Sequence, residues 1–465
     1  MKSSSTSLGE QRLSHAILAS ATAKRTRTRY LIVAILFIVS MLNNADRAIL
    51  SITGTRIQSS LGMDAITLGY LFSSFAWAYM LAQIPGGWLI DRFGSKRVYG
   101  FAIFLWSFFT LLQGFVPVLG VGSAIVALFV LRIAVGLAEG PTYPNNSRVV
   151  SAWFPSSERA TASAIFNSAQ YAAAVVFTPL MGWLTHAHGW PSTYWVMGVL
   201  GMAIALGWMA LFHFPTRHPQ ANQAEVDYIR AGGGMVELDS TPAAKHDSPV
   251  HTWACLKELL GNRMLLGVYI GQFGITTIVY FFLTWFPIYL IKGLNMPIMN
   301  AGFIAAIPAV FGFLGGVLGG VVSDWLLKRG HSVTFARKSV IVTGMLLSLA
   351  IVLCNWAGGS QTLVVLFMTL AFFGKGVGSL GWTVVADTSP KEAAGLAGGL
   401  FNTFANAAGI TTPIVIGYLV QATGTFDWAL VYVAANALLA IFAFLFIAGP
   451  IQRVVLTHSL KAPAP

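Results

Sequence analysis

Twelve stretches of this chain run for about 20 residues each with almost no charge, the length a helix needs to cross the hydrocarbon core of a bilayer. They fall at roughly 30–52, 66–90, 98–116, 122–146, 159–186 and 192–213, and then at 264–291, 299–327, 337–356, 361–387, 393–421 and 428–449. In lipid every backbone N–H and C=O must be satisfied within the segment, so runs of this kind are read as helices. The expected fold is an all-α polytopic membrane protein with 12 transmembrane helices. Composition agrees, with 56% of residues hydrophobic and 9% charged. An average soluble domain is about 25% charged, so neither a soluble fold nor a disordered chain fits. Two cysteines, Cys255 and Cys354, exclude a disulfide scaffold and a cysteine-rich metal site. The first 29 residues are polar and lead into a full-length span, so no cleavable signal peptide is expected.

A net charge of +12 would suit a nucleic-acid partner, but its placement points elsewhere. With the N-terminus in the cytoplasm, 23 of the 28 Lys and Arg fall in cytoplasmic segments, among them Lys24 to Arg29, Arg92, Lys96 and Arg97, and Lys328 to Lys338. Only Arg56 and Lys292 fall in outer loops, while Arg47, Arg132 and Lys375 lie inside spans. This is the positive-inside pattern, and it predicts a multi-pass plasma-membrane protein with both termini cytoplasmic. No nucleic acid, metal or cofactor is needed to account for any of these charges. The histidines show no metal spacing, and His186 and His188 are placed in an outer loop without a role.

The spans divide into two sets of six. The expected organisation is an N-terminal tail over 1–29, a six-helix bundle over 30–214, a cytoplasmic linker over 215–262, a second bundle over 263–450 and a tail over 451–465. Within the linker, AEVDYIRAGGG suits a short helix ended by glycines, though a solvated tether is the preferred reading. The halves repeat each other at offsets of 233 to 235 residues: Gly87-x-x-x-Asp91 recurs as Gly320-x-x-x-Asp324, Phe166-Asn167 as Phe401-Asn402, and Pro179 as Pro413. Internal repeats of this kind place two pseudo-symmetric bundles around a cavity near the membrane midplane. The glycine run Gly312, Gly315, Gly316, Gly319 and Gly320 has no strand before it and no Gly-Lys-Ser/Thr after it, so it reads as close helix packing that permits rocking, not as a phosphate loop.

The stretch Gly87-Trp-Leu-Ile-Asp91-Arg92-Phe-Gly94-Ser-Lys96-Arg97 resembles the signature loop of the major facilitator superfamily, and Leu131-Arg132-x-x-x-Gly136 resembles its fourth-span motif. Asp46-Arg47, RIAVGLAEGPTYPNNSR, AWFPSSERATA and FFLTWFPIYL are similar to the anion:cation symporter branch. NSAQY, ARKS, AFFGKGVGSLGW and ADTSPKE look most like its glucarate/galactarate (aldarate) proton symporters, with galactonate and hexuronate transporters as near relatives. The resemblance covers the whole chain. It implies a transporter and not an enzyme: proton-coupled uptake of a sugar-acid anion by alternating access, functional as a monomer among membrane lipids. A galactonate or hexuronate symporter, or an organic-anion exchanger or uniporter of the same fold, stays open.

A charge inside a span costs at least about 2.5–3.5 kcal/mol on insertion scales, so each one asks for a reason. Asp46 and Arg47 are adjacent and point about 100° apart on a helix. The guanidinium fork of Arg47 suits a carboxylate, and Asp46 is placed to take up and release a proton. A mutually neutralising ion-pair network is the alternative. Arg132 and Glu139 lie two turns apart on one helix, about 10 Å along the axis, and either form a packing salt bridge or act together. The resemblance assigns Asp46 and Glu139 to proton coupling, with Arg132 adjusting the glutamate. Lys375 lies in the opposite half, where it and Arg47 would hold the two ends of a dicarboxylate. Otherwise it snorkels or pairs with a carboxylate such as Glu139.

Neutral donors and acceptors for the hydroxyls of a sugar acid sit at helical spacing: Tyr79 and Gln83; Asn167, Gln170 and Tyr171; Thr277, Tyr280 and Thr284; Asn402 and Asn406. Trp382 would stack on the sugar-acid backbone. Hydrogen bonds between helices are the alternative for each. The family match favours Tyr79, Gln170, Trp382 and Asn402 as ligand contacts. Asn44 stands where the resembled transporters usually carry tyrosine. Asp91, Asp324 and Asp387, with Gly87, Arg92, Gly94, Lys96 and Arg97, are read as gating or structural residues at the cytoplasmic ends of the spans.

Overall fold

The computed structural model describes residues 25–155, 158–238, 252–390 and 394–456. Among these, twelve helices are long and apolar enough to cross a membrane. They are α1 Thr28–Leu61, α2 Ala65–Gln83, α3 Ser95–Val118, α4 Val121–Trp153, α5 Thr161–His188, α6 Trp190–Leu211, α7 Arg263–Gly293, α8 Ile298–Lys328, α9 Val333–Trp356, α10 Gln361–Thr388, α11 Leu396–Thr423 and α12 Asp427–Ile447. The α2 helix continues past its apolar stretch to Phe93.

The α1 helix runs nine residues past the predicted end of its apolar run. The run is cut short in sequence by Ser51, Thr53, Thr55, Arg56 and Gln58, yet these residues stay helical, and two of the hydroxyls are satisfied within the helix. The hydroxyls of Ser51 and Thr53 donate to Ala48 O and Ile49 O at 2.8 Å. The helix stops where Gly62 takes a left-handed φ of 62° and donates its N–H to Gln58 O. Two residues later Asp64 caps α2 by accepting from Thr67 N at 2.7 Å. His186 and His188 lie in the last turn of α5, not in a loop.

Three spans are interrupted. The first part of α4 ends at Glu139 and helix resumes at Thr142, across Gly140 and Pro141. The first part of α10 ends at Val377 and helix resumes at Gly381. In α7 the residues Phe281–Trp285 and Tyr289–Gly293 are π-helical, a widening of the helix that is frequent at functional sites. Discontinuous spans at a midplane site are a recurrent feature of transporters.

The halves meet through α1 with α7, α2 with α11, and α5 with α8. At the end away from the linker this contact is tight. A Cβ on Gly69 would sit 2.6 Å from Pro413 O, and one on Gly302 would sit 2.9 Å from Thr178 O. The Trp285 indole donates to Pro413 O at 3.2 Å, Ala65 N donates to Gln421 Oε1 at 3.2 Å, and Lys292 donates to Gln58. Toward the linker end Asn402 Nδ2 donates to Gln83 Oε1 at 2.8 Å. Beyond that, a Cβ on Gly87, Gly320 or Gly399 would meet nothing within 4 Å. The cleft between the halves therefore opens toward the linker. Three of the five α8 glycines expected to permit rocking instead seat α8 on α10 within one half: a Cβ on Gly312, Gly315 or Gly319 would strike Phe372, Phe373 O or Val377 O at 2.6, 2.3 and 2.2 Å.

The solvated-tether reading of the linker needs correction. Gln223–Ala231 is helical, capped by Asn222 and ended at Gly232. Glu225 is fully buried. Its carboxylate accepts from Thr26 Oγ1 at 2.6 Å, Thr28 N at 3.0 Å, Arg29 N at 3.2 Å and Arg29 Nη1 at 3.1 Å, so the linker caps the start of α1. Beside it, Tyr228 and Arg29 donate to Glu158 at 2.7 and 2.9 Å. Burial pushes the Glu158 carboxyl up, but these donors outweigh it and hold the group below the usual glutamate range. The stabilisation is present at neutral pH and is lost as pH falls through that lowered value. Asp239 lies outside the described residues.

Candidate functional site

The charges of α1 separate as their positions require. Arg47 faces the cleft and Asp46 faces the interior of its own half. The Arg47 fork closes on Glu139 of α4, with Nε and Nη2 at 3.1 and 3.0 Å from the same Oε2 atom. Glu139 is 0% exposed, and this is its ion pair among the described residues. Arg132 makes no ion pair with Glu139 among the described residues. Two turns separate Arg132 from Glu139 along α4, whereas Arg47 crosses from α1 at the level of the α4 break. Three rings surround the guanidinium, with centroids at 4.5 Å for Tyr79, 5.0 Å for Phe75 and 6.0 Å for Tyr143. Each ring face adds cation–π attraction. Tyr280 of α7 brings a phenol from the other half into the electrostatic reach of Arg47 and Glu139.

Asp46 is 1% exposed, and neither carboxylate oxygen has a hydrogen-bond partner among the described residues. Its electrostatic neighbours are Glu139, Arg132 and Arg47, with the Trp106 indole beside it. Arg132 lies over Phe75, 5.3 Å from the ring centroid, and its Nε is also unpartnered. Phe75 therefore separates the two arginines.

Between the halves lies an open cavity of about 730 Å³, a figure that includes the solvent space at its mouth. Its walls include Asn44, Ala48 and Ser51 of α1, Gln170 and Tyr171 of α5, and Phe372 of α10. Gln170 is thus placed on a ligand-sized space, and Asn44 donates from its amide to Ser40 O at 2.7 Å. Lys375 is buried next to this cavity, and Glu139 is not its partner. Asn402 is engaged by Gln83 across the cleft. Trp382 is 58% exposed and rests edge-on against Phe401 at 4.9 Å, away from the Arg47 cluster. The break in α10 puts Trp382 on the segment that starts at Gly381.

At the linker end of the second half, Arg337 of α9 gathers two of the expected gate carboxylates. It donates to Asp387 at 3.0 Å, to Asp324 at 3.3 Å and to Ser323 Oγ at 2.8 Å. In the first half, the Asp91 side chain lies outside those described. Arg92 stacks on Trp88 and Phe93, Lys96 meets His213 Nε2 at 2.9 Å, Gly94 closes α2 with its N–H on Ile90 O, and Arg97 is exposed. Sequence reasoning missed Phe75, Tyr143 and Arg337 in these roles. The signals available were the i,i+4 spacing of Phe75 and Tyr79, and the position of Tyr143 directly after the Gly140-Pro141 break.

Two six-helix sets closing on a buried arginine–glutamate pair, with a cleft open at one end, define a membrane transporter. The Major Facilitator Superfamily model matches residues 36–334 and 332–464, and the chain belongs to that superfamily. The probable galactarate/D-glucarate transporter GudP of Bacillus subtilis (strain 168) is 57% identical over 440 residues, 95% of this chain and 96% of the relative. Its namesake in Escherichia coli (strain K12) is 53% identical over 438 residues, 94% of this chain and 97% of the relative. A crystal structure of a D-xylose-proton symporter shares the fold, with a TM-score of 0.66 at 15% identity, covering 90% of this chain and 98% of that one.

Proposed function

We propose that this protein carries a sugar-acid anion, D-glucarate or galactarate, across the bacterial inner membrane together with protons, by alternating access, with both termini cytoplasmic. The observation that carries the reading is the Arg47–Glu139 pair. Glu139 occupies the Arg47 fork, which would otherwise hold a substrate carboxylate. A proton on Glu139 removes its charge and frees Arg47, and an incoming carboxylate then takes the same fork. Substrate and proton thus favour each other's binding, which is the linkage a symporter needs. The cleft is suited to the rest of the molecule: Tyr79, Tyr143, Tyr280 and Gln170 offer neutral partners to hydroxyls. Asp46, buried without a hydrogen-bond partner beside Arg132, supports a second proton site in the same network. The names of the close relatives favour aldarates over other anions.

Purified protein in proteoliposomes provides the test. Labelled glucarate is expected to accumulate when the outside is made acidic and only to equilibrate when no gradient is imposed, with unlabelled galactarate competing. Uptake indifferent to the gradient would reduce the reading to facilitated diffusion or exchange, and absence of competition would remove the aldarate assignment.

A further inference from the structure

The pairing of Arg47 with Glu139 leaves two deep cations: Arg132, which has Asp46 as its electrostatic neighbour in the first half, and Lys375 in the second. Lys375 is 5% exposed, and no carboxylate among the described residues pairs with it. No hydrogen bond among the described residues engages its ammonium either. Two rings are its neighbours, with centroids 5.3 Å away for Phe372 and 5.8 Å for Tyr171. An ammonium held among aromatic rings with no carboxylate beside it is a ready partner for an incoming anion. The α10 backbone is clamped on both sides of the lysine. A Cβ on Gly376 would sit 2.2 Å from Gly312 O of α8, and one on Gly374 would sit 2.5 Å from Gly344 O of α9. These close packings fix the backbone and direct the side chain to the junction of α5, α8 and α10. Both of its ring neighbours are walls of the 730 Å³ cavity, whose far wall is α1, the helix that carries Arg47.

We infer that Lys375 is the seat of the second carboxylate of a dicarboxylate substrate, and so the residue that selects aldarates over monocarboxylate sugar acids. This rests on the proposed sugar-acid function. One carboxylate takes the Arg47 fork in the first half and the other neutralises Lys375 in the second. A dicarboxylate therefore bridges the halves, whereas a monocarboxylate leaves the ammonium unpaired.

The test compares wild type with Lys375→Gln and Lys375→Arg in proteoliposomes, reading the affinity for galactarate and for galactonate, which differ in the second carboxylate. Removing a charge-assisted contact should weaken galactarate about tenfold or more. Galactonate should change by less than about threefold, and Lys375→Arg should recover most of the galactarate affinity. Equal losses for both anions, or no loss for galactarate, would overturn the role of Lys375 while leaving sugar-acid transport intact. Wild type binding neither anion would overturn the transport reading and this inference with it. Thermal stability of Lys375→Gln is read alongside: an unfolded variant moves both anions equally and is recognised by its melting, and Lys375→Arg then decides, with preserved selectivity expected and lost selectivity overturning the inference.

Discussion

Replacing Arg47 with glutamine is expected to lower sugar-acid uptake by about a hundredfold or more. Truncating one member of a buried, hydrogen-bonded charge pair costs about 2–5 kcal/mol, and each 1.4 kcal/mol is a factor of ten. Here the substitution does double damage. It removes the fork that would hold the substrate, and it leaves the fully buried Glu139 carboxylate without its ion-pair partner. Lysine should not rescue, because a point charge can neither present two parallel donors nor stack its plane among Tyr79, Phe75 and Tyr143. Uptake into cells, normalised to the amount of protein in the membrane, measures this. Arg47→Gln retaining uptake within about threefold of wild type would place the substrate elsewhere.

The second large effect concerns coupling. Glu139→Gln keeps the shape and an acceptor oxygen toward Arg47 but removes the charge that competes with substrate. Exchange of labelled for unlabelled substrate across the membrane should persist within a few fold. Accumulation driven by a proton gradient should fall at least about tenfold, to equilibrium, because the fork no longer changes hands with a proton. Counterflow and gradient-driven uptake, measured in the same vesicles, separate the two. A Glu139→Gln variant that still concentrates substrate on a pH gradient would remove Glu139 from the coupling path.

Twelve spans and the repeated halves were legible in the sequence because apolar length and the recurrence of Gly-x-x-x-Asp are local properties. The deep charges Asp46, Arg47, Arg132, Glu139 and Lys375 were legible for the same reason, since a charge within an apolar run stands out whatever the fold. Their partners were not. The pairing of Arg47 with Glu139 depends on how α1 crosses α4, a tertiary fact that no spacing along one helix reveals. The C-terminal part of α1 was missed because Ser51, Thr53 and Thr55 read as polar, although two of these hydroxyls are turned back on their own helix. The break in α10 between Lys375 and Trp382 was not legible either, since no residue pattern there marks the end of the helix at Val377. The linker helix was underrated because its single buried charge, Glu225, finds its partners almost two hundred residues earlier, at Thr26, Thr28 and Arg29.

The central claim is that an incoming carboxylate replaces Glu139 on Arg47 and that Glu139 leaves the pair protonated. Proton uptake on substrate binding tests it most directly, read with a pH-sensitive dye in weakly buffered detergent solution of the purified protein as galactarate is added. Wild type is expected to take up protons on binding, and Glu139→Gln to take up measurably fewer while still binding. Binding without proton uptake by wild type, or uptake unchanged in Glu139→Gln, would contradict the account.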